Sequence, residues 1–310
     1  MSNLFSSNQT QLFGLDKYIS ELIFLYKEKS LPNKILLSGQ KGIGKCTLAY
    51  HFVNYVLSQN EDFKYDEKNF KIDLNNKSFK TIQNRSNPNL ISVDVNFEKK
   101  SIDINQIREL INNLNKSSFN NKPRFVLIDN IEFLNLNSLN ALLKVLEEPN
   151  DGVFFILINN NKKVLATLLS RCINFKISLT NKETLEIANF LLDKKSVHNI
   201  NNDLINYYMS PGYIYNLHKF SIMNDYDLQN ISLNDFLKFL IKNKLYLKDN
   251  MMNSIFYDLV ECYFRKINSI LTLDIYNKYT YFLKRISQTK KFNLDEESLL
   301  MELEEEVLNG

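Results

Sequence analysis

Long apolar runs and closely spaced cysteines are missing from this sequence of 310 residues. No stretch of about eighteen or more uncharged apolar residues occurs, so no membrane-spanning helix is expected. The three cysteines, Cys46, Cys172 and Cys262, lie far apart and show no metal-ligand spacing. That argues against a disulfide framework and a structural zinc site, and fits a reducing cytoplasm. Residues Met1 to Asn8 hold no basic region followed by an apolar core, so no secretory signal is expected, and the expected location is cytoplasmic. The formal net charge of +3 is a weak basic bias that does not support avid DNA binding by this chain alone. Glycine is also scarce, with seven in the chain, yet Gly39, Gly42 and Gly44 fall within six residues of one another.

Those glycines sit in Leu36-Leu37-Ser38-Gly39-Gln40-Lys41-Gly42-Ile43-Gly44-Lys45-Cys46-Thr47. An apolar strand-like run feeds a glycine-rich loop, and the loop opens an apolar helical stretch through Leu48, Ala49, Phe52 and Val53. Glycine lets backbone N–H groups close around an anion, and a helix N-terminus adds its dipole. The spacing from Gly39 to Lys45 is that of a P-loop, with Lys45 placed to reach β- and γ-phosphates. The candidate nucleotide-binding residues are Gly39, Gln40, Lys41, Gly42, Ile43, Gly44, Lys45, Cys46 and Thr47. One position departs from the pattern. Cys46 stands where Ser or Thr would hold Mg²⁺ through a hard oxygen, and a thiol is a poor magnesium ligand. Thr47 comes one residue late, rotated by about 100° on a helix.

Residues 11–29 place Tyr18, Ile19, Leu22, Ile23 and Tyr26 at helical spacing. Lys34 to Ser38 reads as a strand, and the helix after the loop is expected to reach about Gln59. Residues 60–88 are polar, with single aromatics at Phe63, Tyr65, Phe70 and Phe79, and read as an insertion with little regular structure, a solvated loop with some helix. Four further strands are expected at 90–95, 124–129, 153–158 and 173–177. Helices separate them: Ile107, Leu110, Ile111 and Leu114, capped by Ser101 or Asp103, and then Leu136 to Leu146, stopped by Pro149. This alternation argues a parallel five-stranded α/β sheet. After about Leu179 the strand signal ends. Two or three short helices around Ser210-Pro211-Gly212 suggest a small helical lid, and 225–310 an all-α domain, with an acidic last helix over Leu299, Leu300, Leu303 and Val307.

Asp129 closes a buried strand, where P-loop ATPases keep the acid that orients Mg²⁺. The next residue is Asn130, an amide that cannot accept a proton from an attacking water at neutral pH. Glu132 lies two residues further on and would need a distorted turn to replace it. Cys46 and Asn130 are thus two independent departures from one hydrolytic site. Arg171 sits between two strands, within Ser170-Arg171-Cys172. The isolated His51, His198 and His218 carry no expected catalytic role.

Three segments together, LLSGQKGIGKCTLAYHFV (36–53), NALLKVLEEP (140–149) and LLSRC (168–172), resemble the bacterial clamp loader subunits of the AAA+ class. Within that class the chain is most similar to the delta-prime type of DNA polymerase III. The resemblance implies an AAA+ P-loop domain at 1–178, a helical lid at 179–224 and a C-terminal helical collar at 225–310. It also implies a heteropentamer with gamma/tau-type and delta-type subunits that acts on a sliding clamp and primed DNA, with no membrane involved. Carried over by position, Arg171 is then an arginine finger acting in trans on a neighbour's ATP. The Cys46 and Asn130 departures fit a non-hydrolysing scaffold, and so do Tyr213, Ile214 and Tyr215, which stand where a sensor arginine is expected. No cofactor is required for that role; ATP or ADP is what the altered loop, with Asp129, would hold, and no zinc is expected. An active gamma/tau-like ATPase subunit is the alternative, and another AAA+ ATPase acting on DNA a third.

Overall fold

The computed structural model describes residues 5–95, 101–116, 120–148, 150–192, 200–205, 209–247, 250–267, 273–292 and 294–309. Pro149 and His198 lie outside them. The chain divides into two compact units, 1–184 and 185–310.

The first unit is built on five parallel strands: β1 (Lys34–Ser38), β2 (Leu90–Val93), β3 (Arg124–Ile128), β4 (Val153–Asn159) and β5 (Ile173–Lys176). Their order across the sheet is β2-β3-β4-β1-β5. The near-continuous apolar runs in β1, β3 and β4 follow from burial on both faces. Successive residues alternate sides: Ile35, Leu37, Phe125, Leu127, Ile156 and Ile158 feed one core, while Leu36, Val126, Ile128, Phe155 and Leu157 feed the other. The first core is closed by α1 (Asp16–Lys27) and α2 (Lys45–Leu57); the second by α4 (Ile104–Leu114) and α5 (Leu136–Glu147). Asp103 caps α4 in a reciprocal box with Gln106. Asn135 caps α5 through the Ser138 N–H.

The stretch 60–88 has the little regular structure and some helix that its sequence suggests, but it is less solvated than expected. It carries a helix, α3 (Lys77–Gln83), and sends Tyr65, Ile72, Phe79 and Ile82 into the first core. Its polar residues are spent internally. Asn76 Oδ1 accepts from the Phe79 N–H and from Asn54 Nδ2, and Glu61 accepts from the Lys77 and Ser78 N–H groups. A few spaced aromatics anchor this segment without any regular apolar period. A short helix, α6 (Ala166–Leu169), then precedes β5.

In the second unit, after α7 (Asn181–Leu191), come α8 (Pro211–Asn224), α9 (Leu233–Lys242), α10 (Asn250–Ile267), α11 (Leu273–Phe292) and α12 (Glu296–Leu303). Among the described residues, α7, a 3₁₀ turn at Asn202–Leu204 and α8 fall around Ser210 as the sequence predicts; α8 runs for 14 residues, with Pro211 in its first turn and Ser210 accepting from the Tyr213 N–H. One continuous apolar cluster takes residues from both sides of position 224, including Leu217, Phe220, Leu237, Phe256 and Leu300. Tyr213 and Ile214 belong to that cluster, and Leu299, Leu300, Leu303 and Val307 are buried as the acidic-helix pattern predicts. Among the described residues, no helix is long and apolar enough to cross a membrane.

His51 of α2 has a structural place. Its ring is fully buried, with Nε2 at 3.1 Å from the Gln9 carbonyl and Nδ1 at 3.0 Å from the Tyr65 hydroxyl. A carbonyl only accepts, so Nε2 bears the proton and Nδ1 accepts from Tyr65. Burial pushes its pKa down from 6.5 to about 4, so the ring stays neutral in the folded chain. Its contribution to stability is complete above pH 6.5 and is lost as the pH falls toward 4. His51→Ala is expected to lose about 2–4 kcal/mol in urea denaturation at neutral pH, by leaving a cavity and an unpaired hydroxyl. A loss under about 0.5 kcal/mol would show that the site relaxes without cost.

Candidate functional site

The glycine loop joins the C-terminal end of β1 to α2. A Cβ on Gly39 would lie 2.3 Å from the Ile177 carbonyl oxygen and 2.9 Å from Ile43 Cδ1, so only glycine fits there. Gly42 and Gly44 hold φ of 83° and 94°, the left-handed region. Gly44 is the N-cap of α2 and offers no side chain to the first-turn N–H groups, which leaves them for an anion. Ile43 is buried beneath the loop, Gln40 and Lys41 are exposed, and Cys46 and Thr47 are half-buried in the first turn.

Lys45 is 3% exposed, and its Nζ donates to the carbonyls of Gly39 (2.9 Å) and Gln40 (2.6 Å) and to Asn160 Oδ1 (2.9 Å). An ammonium has three donors, and all three are used. Burial lowers its pKa from 10.5 to about 8, against the raising influence of Asp129 and Glu132. Asp129, just past β3, is pushed up from 3.8 to about 6 by burial and by the neighbouring Asp94. Burial, followed by the charge of the neighbouring Asp129 carboxylate, drives the pKa of the Cys46 thiol well above the usual thiol value.

Asn160, the middle one of Asn159-Asn160-Asn161 at the end of β4, ties the site together. Its Nδ2 donates to Asn130 Oδ1 at 2.7 Å and to Glu132 Oε1 at 3.0 Å. Asn130 Nδ2 in turn donates to Asp94 Oδ1 at 2.7 Å. Because β4 lies between β1 and β3, its end falls between the lysine and the acids. The distorted turn that Glu132 would need is present. Asn130 takes φ 57°, ψ 47°, and a 3₁₀ turn over Ile131–Phe133 follows. Glu132 thereby joins the cluster that holds Lys45.

The loop backbone therefore suits a phosphate group, but the metal-binding arm does not suit Mg²⁺. A thiol stands where a hydroxyl oxygen would be, and the lysine must leave an acceptor to meet a phosphate. Among the described residues, no group of three or more His, Cys, Asp or Glu is placed to hold a metal ion.

Arg171 is not part of this cluster. The register pairs Ile173 with Ile35, so Arg171 precedes β5 at the N-terminal end of the sheet. The glycine loop leaves the C-terminal end, and the four residues from Ile35 to Gly39 span about 13 Å. The guanidinium is 31% exposed and lies beside Glu147, the last residue of α5. Leu165, Leu169 and Ile173 around it are exposed by 49%, 42% and 56%.

Comparison with known proteins places the site in a family. A family model described as DNA polymerase III, delta subunit, matches residues 14–181. The subunit gamma of DNA polymerase III from Buchnera aphidicola subsp. Acyrthosiphon pisum is 29% identical over 164 residues, 52% of this chain and 43% of that protein. The subunit delta' from Buchnera aphidicola subsp. Schizaphis graminum is 27% identical over 189 residues, 61% of this chain and 55% of that one. The chain thus spans about half the length of these curated relatives. A DNA polymerase III gamma subunit-related protein from Thermotoga maritima is similar in structure, with 15% identity, 91% of this chain and 96% of that chain covered, and a TM-score of 0.43.

Ionised Asp129 is destabilising in the fold. Its cost is absent below about pH 4 and complete above about pH 6, because the folded chain holds that proton more tightly. The stability of Asp129→Asn relative to the parent chain is expected to rise by about 1–3 kcal/mol between pH 4 and pH 7 in urea denaturation. A difference independent of pH would contradict the raised pKa.

Proposed function

The chain belongs to the family described as DNA polymerase III, delta subunit, and from that premise we propose that it is a clamp loader subunit of the delta-prime type. Its fold is α/β of the AAA+ kind. In this reading its own P-loop does not hydrolyse ATP. Arg171 is offered to the ATP site of an adjoining gamma/tau-type subunit, in a heteropentamer that also contains a delta-type subunit. The assembly opens a sliding clamp and loads it on primed DNA.

The placement of Arg171 carries the proposal. It lies at the end of the sheet away from its own glycine loop, so it cannot reach a phosphate bound there. Exposed Leu165, Leu169 and Ile173 around it suit contact with another subunit. The Lys45 and Cys46 arrangement supports the other half, since the local cradle is internally satisfied. ATP or ADP held by the loop backbone and Asp129 would serve a structural purpose, and no cofactor is needed for the finger to act.

A second reading, an active gamma/tau-type ATPase subunit, is favoured by one observation: the left-handed turn at Asn130 carries the Glu132 carboxylate into the site. The two readings separate cleanly. The purified chain with MgATP is expected to show no turnover. Turnover that Glu132→Gln abolishes would establish the second reading instead.

The trans role is tested in an assembly where only the ATP site bordering this chain is intact. Arg171→Ala is expected to slow hydrolysis there by about 10³-fold or more, with the chain's thermal stability unchanged within about 1 kcal/mol. Lys45→Ala in this chain is expected to change that rate by about twofold at most, since a residue outside the reacting site has no transition-state contact to lose. An unchanged rate for Arg171→Ala would refute the trans role.

A further inference from the structure

Two elements converge on the Arg171 guanidinium. Its Nη2 donates to Glu147 Oε1 at 2.5 Å, and its Nη1 donates to the Thr167 carbonyl at 2.7 Å. Glu147 is the last residue of α5, and Thr167 lies in α6. Both are anchored from below, by buried Leu146 on one side and buried Leu168 on the other. The two acceptors therefore stand on well-packed elements, although the ion pair itself is exposed, 31% at Arg171 and 52% at Glu147.

Stability gives little reason for this arrangement, because exposed ion pairs contribute almost nothing to folding. Geometry gives a better one. A guanidinium is planar and carries five N–H donors in a fixed fork. Glu147 and Thr167 take two of them, one on each terminal nitrogen. Three N–H groups are left: the Nε–H and one on each terminal nitrogen. A long side chain that would otherwise sample many rotamers is held in one plane, with donors to spare.

We propose that Glu147 is a positioning residue for Arg171. Together with the Thr167 carbonyl, it holds the guanidinium so that its remaining N–H groups face the phosphate oxygens of ATP bound by an adjoining subunit. This rests on the reading of Arg171 as an arginine finger. Glu147 itself touches no substrate and moves no proton. Its effect is the bias it places on the orientation of Arg171, a factor of about two to five for an exposed pair. That is small beside the finger's own contribution of about 10³–10⁵.

The test uses the full chain in the assembly whose bordering ATP site alone is intact. Glu147→Ala is expected to lower kcat for ATP hydrolysis about two- to fivefold with KM unchanged. Glu147→Gln keeps an acceptor oxygen and is expected to recover at least half of the lost rate. In an Arg171→Ala background, Glu147→Ala is expected to cause no further loss, because nothing remains to be positioned. An unchanged or faster rate for Glu147→Ala, with Arg171→Ala slow, would overturn the positioning role and leave the finger standing. A further loss in the double variant equal to that of Glu147→Ala alone would also overturn it, by showing that Glu147 acts elsewhere. If Arg171→Ala itself changes nothing, the finger reading fails and this inference fails with it.

Discussion

The buried ammonium of Lys45 constrains the rest of the first unit. A charge this far from water is tolerable only if every N–H finds an acceptor, and the fold supplies three of them. Two are carbonyls of the glycine loop, so the loop folds back onto its own lysine. The third, Asn160, reaches the lysine because β4 is the sheet neighbour of β1. Asn160 then links to Asn130, Glu132 and, through Asn130, Asp94. The strand order thus does more than hold the core. It gathers three strand ends into one polar cluster in which the positive charge is already offset by carboxylates.

The same parallel sheet explains a division of labour. All five strands run one way, so loops at their C-terminal ends build one site and segments at their N-terminal ends build another surface. The cradle, Asp129 and Asn160 occupy the first; Glu147 and Arg171 occupy the second. A side chain at one end does not reach across to the other. Whatever Arg171 contributes electrostatically is available to a neighbouring molecule and not to its own loop. The exposed leucines beside it have the same implication, since large apolar side chains around a paired arginine suit an interface better than open solvent.

Much of this was legible in the sequence where local physics decides. The apolar runs of β1, β3 and β4 reappear in the structure with ends shifted by a residue or two, and of the two candidate caps, Ser101 and Asp103, it is Asp103 that caps α4. The glycine loop was equally plain, because Gly39 has no room for a Cβ. What was not legible depended on neighbours distant in sequence. Asn160 gained its role from strand order, which no single segment encodes. Residues 60–88 looked solvated because their anchors, Tyr65, Ile72, Phe79 and Ile82, follow no period. Glu132 seemed out of reach until Asn130 was found in the left-handed conformation, one that asparagine tolerates better than most residues. Helices around Ser210-Pro211-Gly212 do follow from the sequence, and serine followed by proline is how α8 begins.

The glycine loop suits a phosphate, but a thiol, Cys46, stands where a magnesium site needs a hard oxygen. The most direct measurement is equilibrium binding of ATP to the purified chain, by calorimetry, with Mg²⁺ present and with Mg²⁺ removed by chelation. The expected result is the same affinity, weak or absent, in both conditions. A marked tightening on adding Mg²⁺ would mean that the metal is coordinated after all, and would contradict the account.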